Sequence, residues 1–501
     1  MSSHSRSRMA LIATRTAIII VLAVGVLVGL CFWGALPEKA GASNSDSASR
    51  ELFPAEFHRV EMPQAKGPHV LLISVDTLRA DHMSLYGYRR PTTPRIDQFA
   101  KSSRVFDRAY ATAPFTPPSV VSMLTGRYPY NHRVRMFWQR VTAENITVAD
   151  HLRRAGYQTA AVVSNVVLSD DACGLGIRFE HYDDQVSEPE PRRPHMRERR
   201  AAGTTDAAIA WLTGTRDANK PSFLWVHYND PHGPYTPPDD APVDFTHDQP
   251  KLIAEDRLLE YVKEPGLLDG LEYVDRYDEE IAYVDREIGR LLDAYTSIGL
   301  ADDALIILTA DHGEQMMEGE RFFFCHGYNV HESVIHVPLL VRYKSMPVER
   351  VAQPVSIVDI VPTILEVAGL PIPGELDGYS LARGIHDRPP YAEGPDAEVK
   401  GRLIRTFVYA DRKIVVQHGR SNIPRRSWAY DLRSDPHESN PLPVDPAESA
   451  YIAMEQIIRG DPDPAGQPTT YAKGIRPTGA AVADHADHDA LRTLRSLGYV
   501  E

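Results

Sequence analysis

Asp76, Asp311 and His312 are well placed to do chemistry, because each lies at the end of an apolar run. The first run is HVLLISVDTLRADH (His69 to His82) and the second is ALIILTADHGE (Ala304 to Glu314). Two carboxylates and an imidazole delivered to one edge suit a hard or borderline divalent cation. A third stretch, APFTPPSVVSMLTGRYP (Ala113 to Pro129), sets Thr116 just ahead of Pro117 and Pro118. Proline suits the first helical turn, so Thr116 is predicted at the N-cap of a short helix ending near Gly126. The N–H groups and dipole at that end stabilise an oxygen gaining negative charge. A threonine hydroxyl alone is a weak nucleophile, and coordination to a cation activates it. The pattern points to a metal-dependent enzyme.

The elements that must position these groups alternate along the chain from Pro68. Apolar runs at Val70–Val75, Thr159–Ser164, Phe223–His227, Leu305–Thr309 and Val337–Arg342 read as buried strands. Helical spacing follows Thr93-Pro94, fills about Glu272 to Ser297 with apolar residues at three- and four-residue steps, and returns at Ser356 to Ala368 before Gly369. Strands separated by helices imply an α/β fold, a mostly parallel sheet sandwiched by helices. Chemistry in such sheets gathers at the carboxyl ends of the strands. Glu188–Arg200 and Asp239–Pro265 are polar or irregular and read as surface excursions. After about residue 385 the texture shortens, and RLIRTFVYADRKIVVQHG reads as a hairpin turning at Asp411-Arg412. The His-rich ADHADHD (Ala483 to Asp489) reads as a solvated loop.

A chain of 501 residues can bury a large core, and its net charge of −14 argues against a nucleic-acid groove. Arg6, Arg8 and Arg15 precede Ala17 to Leu36, an uncharged run long enough to cross a bilayer. The basic flank predicts a cytoplasmic segment at 1–16, a single-pass anchor at 17–36, a linker at 37–66 and an extracytoplasmic remainder. The alternative is a secreted or periplasmic chain cleaved near Ala40-Gly41-Ala42. Of three cysteines, Cys31 lies in the apolar run, so at most one disulfide could join Cys173 to Cys325.

VDTLRADHMSLYGY (Val75–Tyr88), TTPRIDQFA (Thr92–Ala100), TPPSVVSMLTGRYP (Thr116–Pro129) and LRRAGYQTAAVVSN (Leu152–Asn165) together resemble the sulfatase branch of the alkaline phosphatase superfamily. So do FLWVHYNDPHGPYTPP (Phe223–Pro238), YDEEIAYVDREIGRLL (Tyr277–Leu292), ILTADHGE (Ile307–Glu314), HVPLLV (His336–Val341) and VSIVDIVPTILEVAGLP (Val355–Pro371). YDLRSDPHESN and the closing SLGYVE extend the likeness to the C-terminus. The resemblance implies an alkaline-phosphatase-like catalytic domain over 67–384 and a smaller C-terminal α/β subdomain over 385–501. It implies one divalent cation, calcium, manganese, magnesium or zinc, with Asp76, Asp311 and His312 as ligands and the Thr116 oxygen completing the set. Thr77 stands where many sulfatases have a second liganding Asp.

The departure comes at the nucleophile. Formylglycine sulfatases carry Cys/Ser-x-Pro-x-Arg, whereas this register reads Thr116-Pro117-Pro118-Ser119-Val120. Threonine is not converted to formylglycine, and phosphodiesterases and phosphoethanolamine or glycerophosphate transferases of the superfamily resemble the chain in using Thr. His232 matches the family histidine that protonates the leaving oxygen, a task suited to imidazole. His326 matches the histidine that binds the anion's oxygens. His227 is read as pointing into the sheet, Arg79 as paired with Asp81, and Arg127, His331 and His336 as structural. A second cation on Asp230, His232 and His326 is the lesser alternative to one. The expected activity is hydrolysis of a sulfate or phosphate ester through Thr116, with a small anionic ester, glycan or lipid as substrate. The rivals are an extracytoplasmic transferase acting on lipid or glycan and an inactive scaffold.

Overall fold

The computed structural model describes residues 67–452 and 456, apart from 187, 191–192, 319–320, 397–402, 419–423 and 446–450. The predicted cytoplasmic segment, anchor and linker (1–66) and the stretch at 483–489 lie outside the described residues. Among the described residues no helix is long and apolar enough to cross a membrane.

The apolar runs form a nine-stranded sheet. In chain order its main strands are β1 (Val70–Val75), β2 (Arg104–Tyr110), β3 (Gln158–Val163), β4 (His181–Asp183), β5 (Ser222–Tyr228), β6 (Leu305–Ala310) and β7 (His336–Arg342). Across the sheet they run β2-β7-β6-β1-β5-β3-β4, with the short strands Arg350–Val351 and Val355–Ser356 on β2. From β6 to β4 all pairs are parallel. Every residue of β1, β5 and β6 is buried, because helices cover both faces. Two findings depart from expectation. β7 runs antiparallel to both neighbours. β2, whose apolar run is broken by Arg104, Asp107 and Arg108, joins the sheet at all because those charges find partners there. Arg104 reaches the Leu381 carbonyl, Arg108 pairs with Asp411, and Asp107 with Arg350.

Three helices matter for the site. α1 (Pro94–Ala100) starts after Thr93 with proline in its first turn, as the sequence predicts. α2 (Thr116–Thr125) ends at Gly126 in the left-handed region (φ +67°). α3 (Gly270–Ser297) begins at Asp269, whose side chain accepts from the Leu271 N–H, and buries Ile281, Val284, Ile288, Leu291 and Tyr295. The C-terminal stretch folds as an antiparallel sheet of β8 (Tyr391–Pro395), β9 (Leu403–Tyr409), β10 (Arg412–His418) and β11 (Pro424–Asp431). Tyr409 pairs with Arg412, so the hairpin turns at Ala410-Asp411, one residue earlier than expected. Glu188–Glu190 and Arg193–Glu198 pair as a small ribbon rather than a plain excursion, and the neighbouring Arg199 is buried on the Val163 carbonyl and Asp183. Cys173 and Cys325 are free and buried, so the one disulfide open to them is not formed.

Candidate active site

β1 and β6 are parallel neighbours with Val75 opposite Ala310, so the next residues, Asp76 and Asp311, leave the sheet side by side. His312 Nε2 lies 3.4 Å from Asp76 Oδ1 and 3.6 Å from Asp311 Oδ2. Gly313 permits this tight exit: a Cβ there would lie 2.2 Å from the Ser333 carbonyl oxygen. Thr116 is the first residue of α2, and the N-cap is Phe115, one residue earlier than the sequence suggested. Its hydroxyl lies 3.4 Å from Asp76 Oδ2 and 3.3 Å from His312 Nε2. The four residues therefore converge, all of them buried. His312 Nδ1 is 2.9 Å from the Gly313 carbonyl, which only accepts, so Nδ1 carries the proton and the Nε2 lone pair faces the carboxylates.

The electrostatics of this cluster fit a cation. Asp76 Oδ1 and Asp311 Oδ2 are buried with no hydrogen-bond partner. Burial raises the Asp311 carboxyl well above its usual range and the nearby Asp76 charge raises it further. At Asp76 burial also acts upward, but His227, His232 and His312 outweigh it and hold the carboxyl below its usual range. Burial, then His326, pushes His312 down to about 3, so its ring is neutral and available as a ligand. Two adjacent buried carboxyls with unused lone pairs are costly, and a divalent cation would remove that cost. Thr77 contributes no carboxylate. It sits at φ +55°, and its own hydroxyl has no partner.

Around the cluster stand groups from the neighbouring strand ends. His232, after β5, donates from Nδ1 to the Gly233 carbonyl at 2.7 Å, and burial lowers its pKa. His326 lies between the rings of His232 and His312, at 5.0 and 4.6 Å between centroids. Its Nδ1 is 3.1 Å from Glu314 Oε1. Burial raises Glu314 to about 7 and lowers His326 to about 4. Thr116, Asn165, Arg197, Glu198, Asn229 and His232 border a small pocket above the cluster. Beyond Pro234 a second cavity of about 480 Å³ is lined by Tyr235, Glu260, Lys263, Tyr273 and Arg276 among others.

Sequence reasoning missed two residues here. His227, read as facing away, has Nε2 3.5 Å from Asp76 Oδ2, and Asn165 donates to the same oxygen at 2.5 Å. β5 is buried on both faces, so alternation gave no sign of which way His227 points. The other readings stand as geometry: Arg79 is committed to Asp81 and Glu318. Arg127 contacts Asn145, His331 faces Glu438, and His336 the Asp107 carbonyl.

The sulfatase family's sequence profile matches residues 68–370. The chain belongs to the sulfatase family. An endo-4-O-sulfatase of Bacteroides thetaiotaomicron is 25% identical over 483 residues, covering 80% of this chain and 94% of that protein. Mouse arylsulfatase K is 26% identical over 458 residues, covering 80% of each. The phosphonate monoester hydrolase of Agrobacterium radiobacter, at 24% identity, shares the fold with a TM-score of 0.60 over 78% of this chain and 95% of that one. The large sheet with a small antiparallel C-terminal sheet is thus the sulfatase fold, which sulfatases and a phosphonate hydrolase both use.

Proposed function

We propose that this sulfatase-family chain hydrolyses a sulfate or phosphate ester through Thr116. The observation that carries the reading is the meeting of the Thr116 hydroxyl with Asp76, Asp311 and His312. Asp76, Asp311, His312 and the Thr116 oxygen would hold one divalent cation. When bound, it would lower the pKa of the hydroxyl and neutralise charge on the transferring group. His312 supplies a nitrogen ligand, which favours manganese or zinc over calcium. Thr116, having given its proton to solvent, attacks sulfur or phosphorus. His232 takes up a proton from solvent at Nε2, the nitrogen not committed to Gly233, and passes it to the leaving oxygen as the bond to that oxygen breaks. Water then attacks the sulfur or phosphorus carried on Thr116, the bond to the Thr116 oxygen breaks as that oxygen regains a proton from solvent, and the free acid leaves. His326, whose ring lies between those of His232 and His312, would hold the anion's outer oxygens. The uncharged run at 17–36 supports a membrane-anchored enzyme acting outside the cytoplasm.

Relatives named as sulfatases of N-acetylglucosamine and of endo-4-O positions support a glycan ester as substrate. A second reading is transfer of the group to a lipid or glycan hydroxyl. Thr116 in place of a formylglycine precursor favours it, since the covalent intermediate then waits for an external nucleophile, and the 480 Å³ cavity offers an acceptor room. Mass spectrometry of the Thr116 peptide after quenching with aryl sulfate, aryl phosphate or phosphodiester decides. A sulfo or phospho adduct absent from Thr116→Ala supports the mechanism, and its survival only until a lipid or glycan alcohol is added supports transfer. Turnover that persists in Thr116→Ala overturns both, and a cation-loaded protein without adduct or turnover supports a scaffold.

A further inference from the structure

His227 has a job that its place in a buried strand conceals. Parallel pairing puts it directly opposite Ser74 of β1, and Trp225, two residues earlier, shares its face. Trp225 Nε1 donates to Ser74 Oγ at 2.9 Å, and the same oxygen lies 2.8 Å from His227 Nδ1. The Ser74 hydroxyl is buried, and His227 Nδ1 is the acceptor within its reach. Leaving that proton without an acceptor would cost about 1–3 kcal/mol. Nδ1 must therefore accept, which puts the ring proton on Nε2. That nitrogen makes no hydrogen bond and faces Asp76 Oδ2 at 3.5 Å.

Asn165 approaches the same oxygen with its orientation fixed independently. Its Oδ1 accepts from the Val167 N–H at 3.0 Å, so its Nδ2 is the atom that reaches Asp76. Oδ2 thus takes the Asn165 hydrogen bond from the end of β3, with His227 Nε2 of β5 at 3.5 Å and the Thr116 hydroxyl at 3.4 Å, while Oδ1 has no partner and faces His312 Nε2. His227 Nε2, an Asp76 oxygen and an Asp311 oxygen all lie within 4.8 Å of one another, so proximity alone would make His227 a third ligand. Proton accounting says otherwise: a nitrogen that carries a proton has no lone pair for a cation.

We propose that His227 is a positioning residue. Held by the Trp225–Ser74 relay in its Nε2–H form, it clamps Asp76 Oδ2 together with Asn165 and so turns Oδ1 toward the cation. This rests on the cation site proposed above and adds a residue that acts on it through Asp76. Groups that hydrogen-bond a ligating carboxylate fix its direction, and losing one weakens metal binding about 10- to 100-fold.

The test is titration of the full chain with Zn²⁺ or Mn²⁺ against a chelating dye, alongside two-bond ¹H–¹⁵N correlation of ¹⁵N-histidine-labelled protein. The His227 signal is identified by its loss in His227→Gln and is expected to show protonated Nε2. Cation affinity is expected to fall about 10- to 100-fold in His227→Ala. It should fall less in Ser74→Ala, which lets the ring change tautomer, and recover in His227→Gln, whose amide N–H can replace the donor. The recovery is what a merely structural role would not give. Thermal melts without cation identify any variant that fails to fold, and Ser74→Ala with the tautomer measurement then carries the test. Protonated Nδ1, or native affinity in His227→Ala, overturns the clamp. So does a Co²⁺ absorption spectrum that loses a nitrogen ligand in His227→Gln, since His227 would then be a ligand itself. A native chain that takes up neither cation overturns the proposed site instead, whatever the tautomer.

Discussion

Charge is buried in two places in this molecule, and the two are handled in opposite ways. Where the C-terminal sheet meets the main domain, two buried charges each face two of opposite sign. Glu393 lies between Arg135 and Arg405, and Lys413 between Glu332 and Glu438. At the carboxyl edge of the parallel sheet, Asp76 and Asp311 face one another, with an oxygen of each left unpaired. The first arrangement is complete without anything from outside. The second leaves an oxygen of each carboxyl unsatisfied, and that incompleteness marks a binding site.

Breaking each region should therefore have opposite consequences. Asp311→Asn removes charge from the unbalanced cluster. Turnover should fall by about 10³-fold, since a catalytic cation is worth several kcal/mol, while the melting temperature without metal holds or rises. A lower melting temperature would show that the Asp76–Asp311 contact is not repulsive. Glu393→Gln should do the reverse, destabilising the fold by about 3–5 kcal/mol in urea titrations because two buried arginines lose their counter-charge. Rates per folded molecule should be unchanged.

The balanced region also sets an acid limit. Burial raises Glu393, but Arg135 and Arg405 outweigh it and bring the folded pKa to about 2. The unfolded value is ~4.3, so the folded pKa is the lower one. The stabilisation is present above pH ~4.3 and is lost as pH falls toward 2, an amount of about 3 kcal/mol. Equilibrium unfolding across that window should show the loss in the native chain and its absence in Glu393→Gln. The smallest effect belongs to the unbalanced region: saturating Zn²⁺ or Mn²⁺ at ~100 times its dissociation constant should stabilise the chain by about 2.7 kcal/mol. EDTA should reverse the shift, and Asp311→Asn should not show it.

The two regions differed as much in legibility. Asp76, Asp311, His312 and Thr116 could be read from the sequence because each interrupts an apolar run or precedes a Pro-Pro pair, and those punctuations survive folding. The five apolar strands were legible for the same reason. β2 was not, since its Arg104, Asp107 and Arg108 are satisfied by partners far along the chain that no local pattern reveals. The direction of β7 depends on which neighbour it finds, and an apolar run looks alike in either sense. His227 and Asn165 escaped because in a strand buried on both faces, or at its exit, side-chain direction is set by register. The Arg135–Glu393–Arg405 network joins three remote segments and left no motif to read.

All ten positions of the helix that carries Thr116 are buried, and Thr116 is the one that borders the pocket. Such a helix has no neutral position at which mutation can accumulate, so the reacting oxygen is fixed against drift. Divergence toward new substrates has to come from the periphery, in the ribbon at 188–198 and the irregular stretch at 239–265. Libraries restricted to those stretches should change substrate preference at little cost in heat resistance, whereas libraries in 116–125 should chiefly return chains that do not fold.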